Sequence, residues 1–114
     1  MSIVFEDSPY DYRLIKLSGR LDIPGTGEIE GQFAALAATK KISLIVDLTE
    51  VSFLASVGIR SIISNAKAQQ QRGGKMVLFV GENAPVAKTL EMTGIDSLVP
   101  MFSSMDDAVR ALAG

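Results

Sequence analysis

The stretch Leu44-Ile-Val-Asp-Leu-Thr-Glu-Val-Ser-Phe-Leu-Ala-Ser-Val-Gly58 decides the architecture. Its first five residues are apolar except Asp47. Strands buried on both faces read this way, and parallel sheets covered by helices need such strands. Immediately after it, Ile59, Ile62, Ile63 and Ala66 recur at i, i+3, i+4, i+7, the spacing of one helix face. That pattern fades at Gln69–Arg72, and Gly73-Gly74 is a stop signal. Ser56 stands where the strand ends and the helix begins. Its hydroxyl has two compatible readings. It can serve as a helix N-cap, a contribution of roughly 1 kcal/mol. It can also accept a phosphoryl group, which would meet backbone N–H groups and the positive end of the helix dipole and would add charge to an apolar surface.

Working outward, Met76–Val80 is a second buried apolar run. Ile3–Glu6 and Tyr12–Ser18 flank a turn around Pro9 and predict an antiparallel opening hairpin. Ile29, Phe33, Leu36 and Ala37 share one helix face. A shorter helix is predicted over Pro85–Met92, with Gly94 past its end. A short strand is expected near Leu98-Val99. Met105, Ala108, Val109 and Leu112 form a last apolar stripe, headed by the capping pair Ser104 and Asp107. Strands alternating with helices predict an α/β fold. The expectation is one domain over residues 1–114: a mixed, mainly parallel sheet of four to five strands, opened by an antiparallel hairpin and flanked by about four helices.

Composition narrows the chemistry. The 114 residues contain no cysteine, histidine or tryptophan. Disulfides, thiolate metal sites, cysteine nucleophiles and the commonest general base are therefore absent. The net charge of −2, without a basic run, argues against nucleic acid. The N-terminus lacks the basic start and apolar core of a signal peptide, and no apolar stretch reaches the ~20 residues of a membrane span. A soluble, cytoplasmic domain of bacterial type is expected, without membrane insertion. No Gly-x-x-x-x-Gly-Lys-Ser/Thr loop is present, and no triad or carboxylate pair stands at a recognisable spacing. The sequence thus predicts no enzyme activity, no metal and no cofactor.

Sites in open α/β sheets lie at the carboxyl ends of the strands. Gly19–Gly25, Thr49–Ala55 and Gly81–Ala84 follow strands and are expected to meet there as connections. The predicted surface contains Asp22, Leu54, Ala55, Ser56, Val57 and Gly58. Asp22 also reads as a cap for the helix that follows it, Gly58 as a close-packing position, and Asp47 as a partner for loop N–H groups.

Gly19-Arg-Leu-Asp22, Ile45-Val-Asp-Leu-Thr49, Val51-Ser-Phe-Leu-Ala-Ser-Val-Gly58, Met76–Val80 and Thr93-Gly-Ile95, in this order and spacing, resemble the STAS domains of anti-sigma factor antagonists. The resemblance covers nearly the whole chain. It implies a mainly parallel sheet after an antiparallel start, with helices against it. In the antagonist branch it implies a serine at the start of the long helix that is phosphorylated by an anti-sigma factor, itself a serine kinase of the GHKL ATPase type. A PP2C-type phosphatase reverses the modification. The unphosphorylated form binds the anti-sigma factor and frees the sigma factor. Ser56 falls on the phosphoacceptor position.

The family pattern Asp-Ser-Ser/Thr-Gly reads here as Ala55-Ser56-Val57-Gly58. A carboxylate before the acceptor is replaced by a methyl group, and a hydroxyl after it by an apolar side chain. Three readings of function follow. One is a partner-switching antagonist released by phosphorylation on Ser56. The second is a constitutive, unphosphorylated interaction module, either a stressosome-type scaffold or a transporter-associated subunit. The third is a nucleotide- or lipid-binding module, which has no phosphate loop to support it.

Overall fold

The computed structural model describes residues 2–38 and 43–113. Strands β1 (Ser2–Asp7) and β2 (Tyr12–Leu21) form the antiparallel hairpin, and α1 (Ile23–Ala37) follows. Then come β3 (Ser43–Leu54), α2 (Ser56–Gln71), β4 (Lys75–Phe79) and α3 (Ala84–Thr93). A 3₁₀ turn at Ile95–Ser97, β5 (Met101–Phe102) and α4 (Met105–Ala113) complete the chain. The sheet order is β1-β2-β3-β4-β5, with every pair after the first parallel. The expected fold is the observed one.

Alternation along the strands divides the core between the two faces of the sheet. Ile15, Leu17, Leu44, Val46, Leu48, Met76, Leu78 and Val80 point to one side, where Ile29, Phe33 and Ala37 of α1, Ile59, Ile62 and Ala66 of α2, and Val86 and Leu90 of α3 cover them. Ile45 and Val77 point to the other, where α4 lays Ala108, Met105, Val109 and Leu112. Both strands in the middle of the sheet are thus covered on both sides, which is why they read as continuous apolar runs. The helix faces predicted from 3.6-residue spacing are the ones buried, with Leu36 and Ile63 at their half-buried margins.

Two features depart from the sequence expectation. First, Gly19–Leu21 and Thr49–Leu54 are not loops: β2 and β3 continue through them as a pair, with register breaks between Lys16 and Ser18 and between Gly19 and Arg20. Backbone pairing carries both strands past the end of their apolar runs. Second, the last strand is not at Leu98-Val99. Val99 is buried, but it follows the 3₁₀ turn and precedes Pro100, and the residues that pair with Leu78 and Phe79 are Met101 and Phe102.

Candidate functional site

The prolonged β2 and β3 deliver two helix starts to the same edge of the sheet. Leu21 pairs with Leu54 at the last rung. Just beyond it, the N–H of Ala55 donates to the carbonyl of Leu21 at 3.0 Å. This bond ties the start of α2 to the start of α1. Gly58 makes the approach possible: a Cβ there would sit 2.9 Å from Leu21 Cβ, 3.0 Å from the Leu21 carbonyl oxygen and 3.0 Å from Leu54 Cδ1.

Asp22 is the N-cap of α1. Its Oδ1 accepts from the Gly25 N–H at 2.9 Å, and its Oδ2 accepts from Arg20 Nε at 3.1 Å. The Gly25 N–H, and after it the Arg20 guanidinium, hold the Asp22 carboxyl below the usual carboxylate range. The capping role read from the sequence is the observed one. Arg20 in turn stacks on Phe53, its cross-strand neighbour, with the guanidinium carbon 4.5 Å from the ring centroid.

Ser56 is not the cap of α2. The N-cap is Ala55, extended at φ −89° and ψ 168°, and no side chain caps the helix. Ser56 is the first helical residue and is exposed. The capping reading therefore fails for a simple reason: the residue in the capping conformation is an alanine, which has no oxygen to offer. The bonds that close the first turn come from Gly58 and Ile59 N–H to the Ala55 carbonyl, leaving the Ser56 hydroxyl uncommitted among the described residues.

The other expected surface residues divide by burial. Ala55 and Val57 are half-buried, and Asp22 presents part of its side chain. Leu54, 6% exposed, belongs to the core, and Gly58 is buried against Leu21. These two shape the edge from beneath. The sequence reading missed two apolar side chains that are exposed at this edge: Phe53 at 43% and Ile23 at 77%. Alternation along an extended β3 would have turned Phe53 away from Leu54, had the strand been carried that far.

Asn83 also went unread. Its Nδ2 donates to the carbonyls of Leu48 (2.9 Å) and Val51 (2.8 Å), with Thr49 O at 3.3 Å, and its Oδ1 accepts from Val86 N–H at 3.4 Å. It caps α3 and clamps the final stretch of β3. Asp47 accepts from the N–H and hydroxyl of Thr49 at 2.8 and 2.7 Å, so its partner is a residue two positions on within β3 and not the loop backbone expected. An open cleft of about 490 Å³ lies alongside, lined by Thr49, Glu50, Val51, Ser52, Glu82, Asn83 and Pro85. Among the described residues, no group of three or more acidic side chains is placed to hold a metal ion, and no helix is long and apolar enough to cross a membrane.

The sheet order is that of an antiparallel hairpin leading into a parallel sheet covered by helices, and comparison with known families adds a match. Residues 6–108 fit the STAS domain. The chain belongs to the STAS domain family. Among its relatives is the anti-sigma-F factor antagonist RsfB of Mycobacterium tuberculosis, 24% identical over 89% of this chain and 81% of the relative. The anti-sigma-B factor antagonist of Listeria monocytogenes is 26% identical over 87% and 86%. An anti-sigma factor antagonist from Mycobacterium paratuberculosis superposes with a TM-score of 0.87 at 24% identity, covering 99% of this STAS chain and 94% of that one.

Proposed function

We propose that this STAS protein is an anti-sigma factor antagonist whose partner binding is switched at Ser56. The observation that carries the reading is an exposed serine hydroxyl on the first residue of α2, free of capping duty, beside apolar groups that the fold leaves at the surface. Unphosphorylated, the edge offers Ser56 with Ala55, Val57, Phe53, Ile23 and Asp22, while Leu54 and Gly58 fix its shape from below. The partner is an anti-sigma factor that is also a serine kinase of the GHKL type. It transfers the terminal phosphoryl group of ATP to the Ser56 oxygen and releases ADP. A PP2C-type phosphatase restores the hydroxyl. The working compartment is the cytoplasm, and the chain itself is a regulator, not an enzyme.

Phosphorylation brings about −1.5 to −2 charges at neutral pH. Carrying that charge into an apolar contact without a matching cation costs several kcal/mol, so the partner leaves. The names of the relatives support the antagonist role, and the uncommitted hydroxyl supports the switch. The constitutive-module reading draws on Ala55 and Val57, which keep the edge apolar in every state. The nucleotide reading finds no cation among the described residues that line the adjoining cleft, which include Glu82 and Glu50, the latter paired with Lys16 at 3.3 Å.

The test is retention of the kinase partner by the chain purified from its own cells. The Ser56 and Ser56→Ala forms are expected to retain an ATP-dependent serine kinase, and Ser56→Asp to lose it. Equal retention by Ser56→Asp contradicts the switch.

A further inference from the structure

We propose that Arg60 is the side chain that holds a phosphoryl group carried on Ser56. The inference rests on Ser56 as phosphoacceptor and adds the group that receives the phosphate. α2 runs unbroken from Ser56 to Gln71, so residues 56 and 60 lie one turn apart on one face. Their Cβ atoms are therefore about 5–6 Å from each other. Both side chains are exposed. An anion placed four residues before a cation is the favourable order along a helix. A guanidinium also matches two phosphate oxygens with paired N–H donors.

Arg60 is available for this task. α2 contains no Asp or Glu, and the positions three and four residues from Arg60 are Ser56, Val57, Ile63 and Ser64. Among the described residues, Arg13, Arg20 and Arg110 each hold a carboxylate, whereas Arg60 holds none. The other arginine at this edge is Arg20. It is already bonded to Asp22 and stacked on Phe53, and would have to leave both. The Asp22 carboxylate on the neighbouring helix start repels a phosphate, which leaves Arg60 as the cation that draws the phosphate along α2.

The clamp has a consequence for partner release. On a helical wheel, position 60 falls between positions 56 and 57. A phosphate bonded to Arg60 therefore lies beside Val57, across the apolar face that the unmodified chain presents. Release then comes from covering Val57 as well as from adding charge.

The test places phosphoserine at position 56 during synthesis of the full chain, so no kinase is needed, and follows its second ionisation by ³¹P NMR. That ionisation ordinarily falls near pH 6. The midpoint in the parent chain is expected to lie about half a unit below that in Arg60→Gln, about threefold in proton affinity. Arg60→Lys recovers part of the difference, and Arg20→Gln, which only unpairs the Asp22 carboxylate, raises the midpoint by less than Arg60→Gln does. The helix N-terminus acts equally in all four chains, so the difference belongs to the side chain. Equal midpoints in the parent and Arg60→Gln overturn the proposal, as does a shift that follows Arg20 instead. Unphosphorylated Arg60→Gln should melt with the parent, as an exposed side chain predicts. The result stands whether or not cells phosphorylate Ser56. Conversely, a chain that is never phosphorylated in its cells defeats the proposed function without moving these midpoints.

Discussion

Replacing Asn83 separates two roles that one side chain performs. As N-cap of α3 it accepts from Val86 N–H at 3.4 Å, a long bond worth about half of the usual ~1 kcal/mol. As clamp of β3 it gives two short bonds, 2.9 Å to Leu48 O and 2.8 Å to Val51 O, at about 1 kcal/mol each. Asn83→Ala removes all three, a loss of about 2–3 kcal/mol. For a chain of this length, that lowers the melting temperature by roughly 10 °C. Asn83→Asp is the more informative change. Aspartate caps a helix as well as asparagine does. Here, however, it aims a carboxylate oxygen at the carbonyls of Leu48, Thr49 and Val51, where the amide had aimed N–H groups. The aspartate variant should therefore lose at least as much stability as the alanine variant. Thermal and urea unfolding measure both, with the urea m-value expected to stay constant. An Asn83→Asp chain as stable as the parent refutes the argument, because the cap would then be the whole of Asn83's contribution.

Other changes test the edge more locally. Ala55→Ser supplies the cap oxygen that α2 lacks and should raise stability by about 0.5–1 kcal/mol, whereas Ser56→Ala should change it by less than about 0.5 kcal/mol; denaturant midpoints that reverse this order would restore Ser56 as the cap. Gly25→Ala should cost more than about 3 kcal/mol or prevent folding, because a Cβ there would lie 1.9 Å from the Arg20 carbonyl oxygen; a melting temperature within a few degrees of the parent would contradict the packing. Asp22 is held below its ordinary value of about 3.9 by Gly25 N–H and Arg20, so its contribution is present above that pH and is lost as pH falls through the lower, folded-state value. The stability gap between the parent and Asp22→Asn should therefore be constant near neutrality and shrink in acid; a gap independent of pH down to complete protonation would remove the carboxylate's charge from the account.

The parts of the fold legible in the sequence are those where burial imposes a period. Leu44–Leu48 and Met76–Val80 are covered on both faces and read as unbroken apolar runs, and the helix faces of Ile29, Phe33 and Ala37 and of Ile59, Ile62 and Ala66 follow the 3.6-residue repeat. The extensions Gly19–Leu21 and Thr49–Leu54 were not legible. They are held by pairing with each other and by Leu21, Val51 and Leu54, buried singly among exposed residues and not in an unbroken apolar run, so the polar residues Arg20, Glu50 and Ser52 between them resemble loop. Of the candidate site, the place of Ser56 at the junction of β3 and α2 and the cap made by Asp22 were legible. Ala55 gives no sign of being an N-cap, because capping is read from side-chain oxygens and alanine has none. Asn83 reads as a turn residue, and its three carbonyl partners lie 32 to 35 residues away in the chain, beyond any local pattern.

The central claim is that Ser56 is a reversible phosphorylation switch. The intact mass of the chain isolated from its own cells, before and after phosphatase treatment and with fragment mapping, tests it most directly. One phosphoryl group that maps to Ser56, is removed by the phosphatase and is absent from Ser56→Ala is the predicted result. An unmodified chain under every growth condition contradicts it and leaves the edge as a permanent docking face.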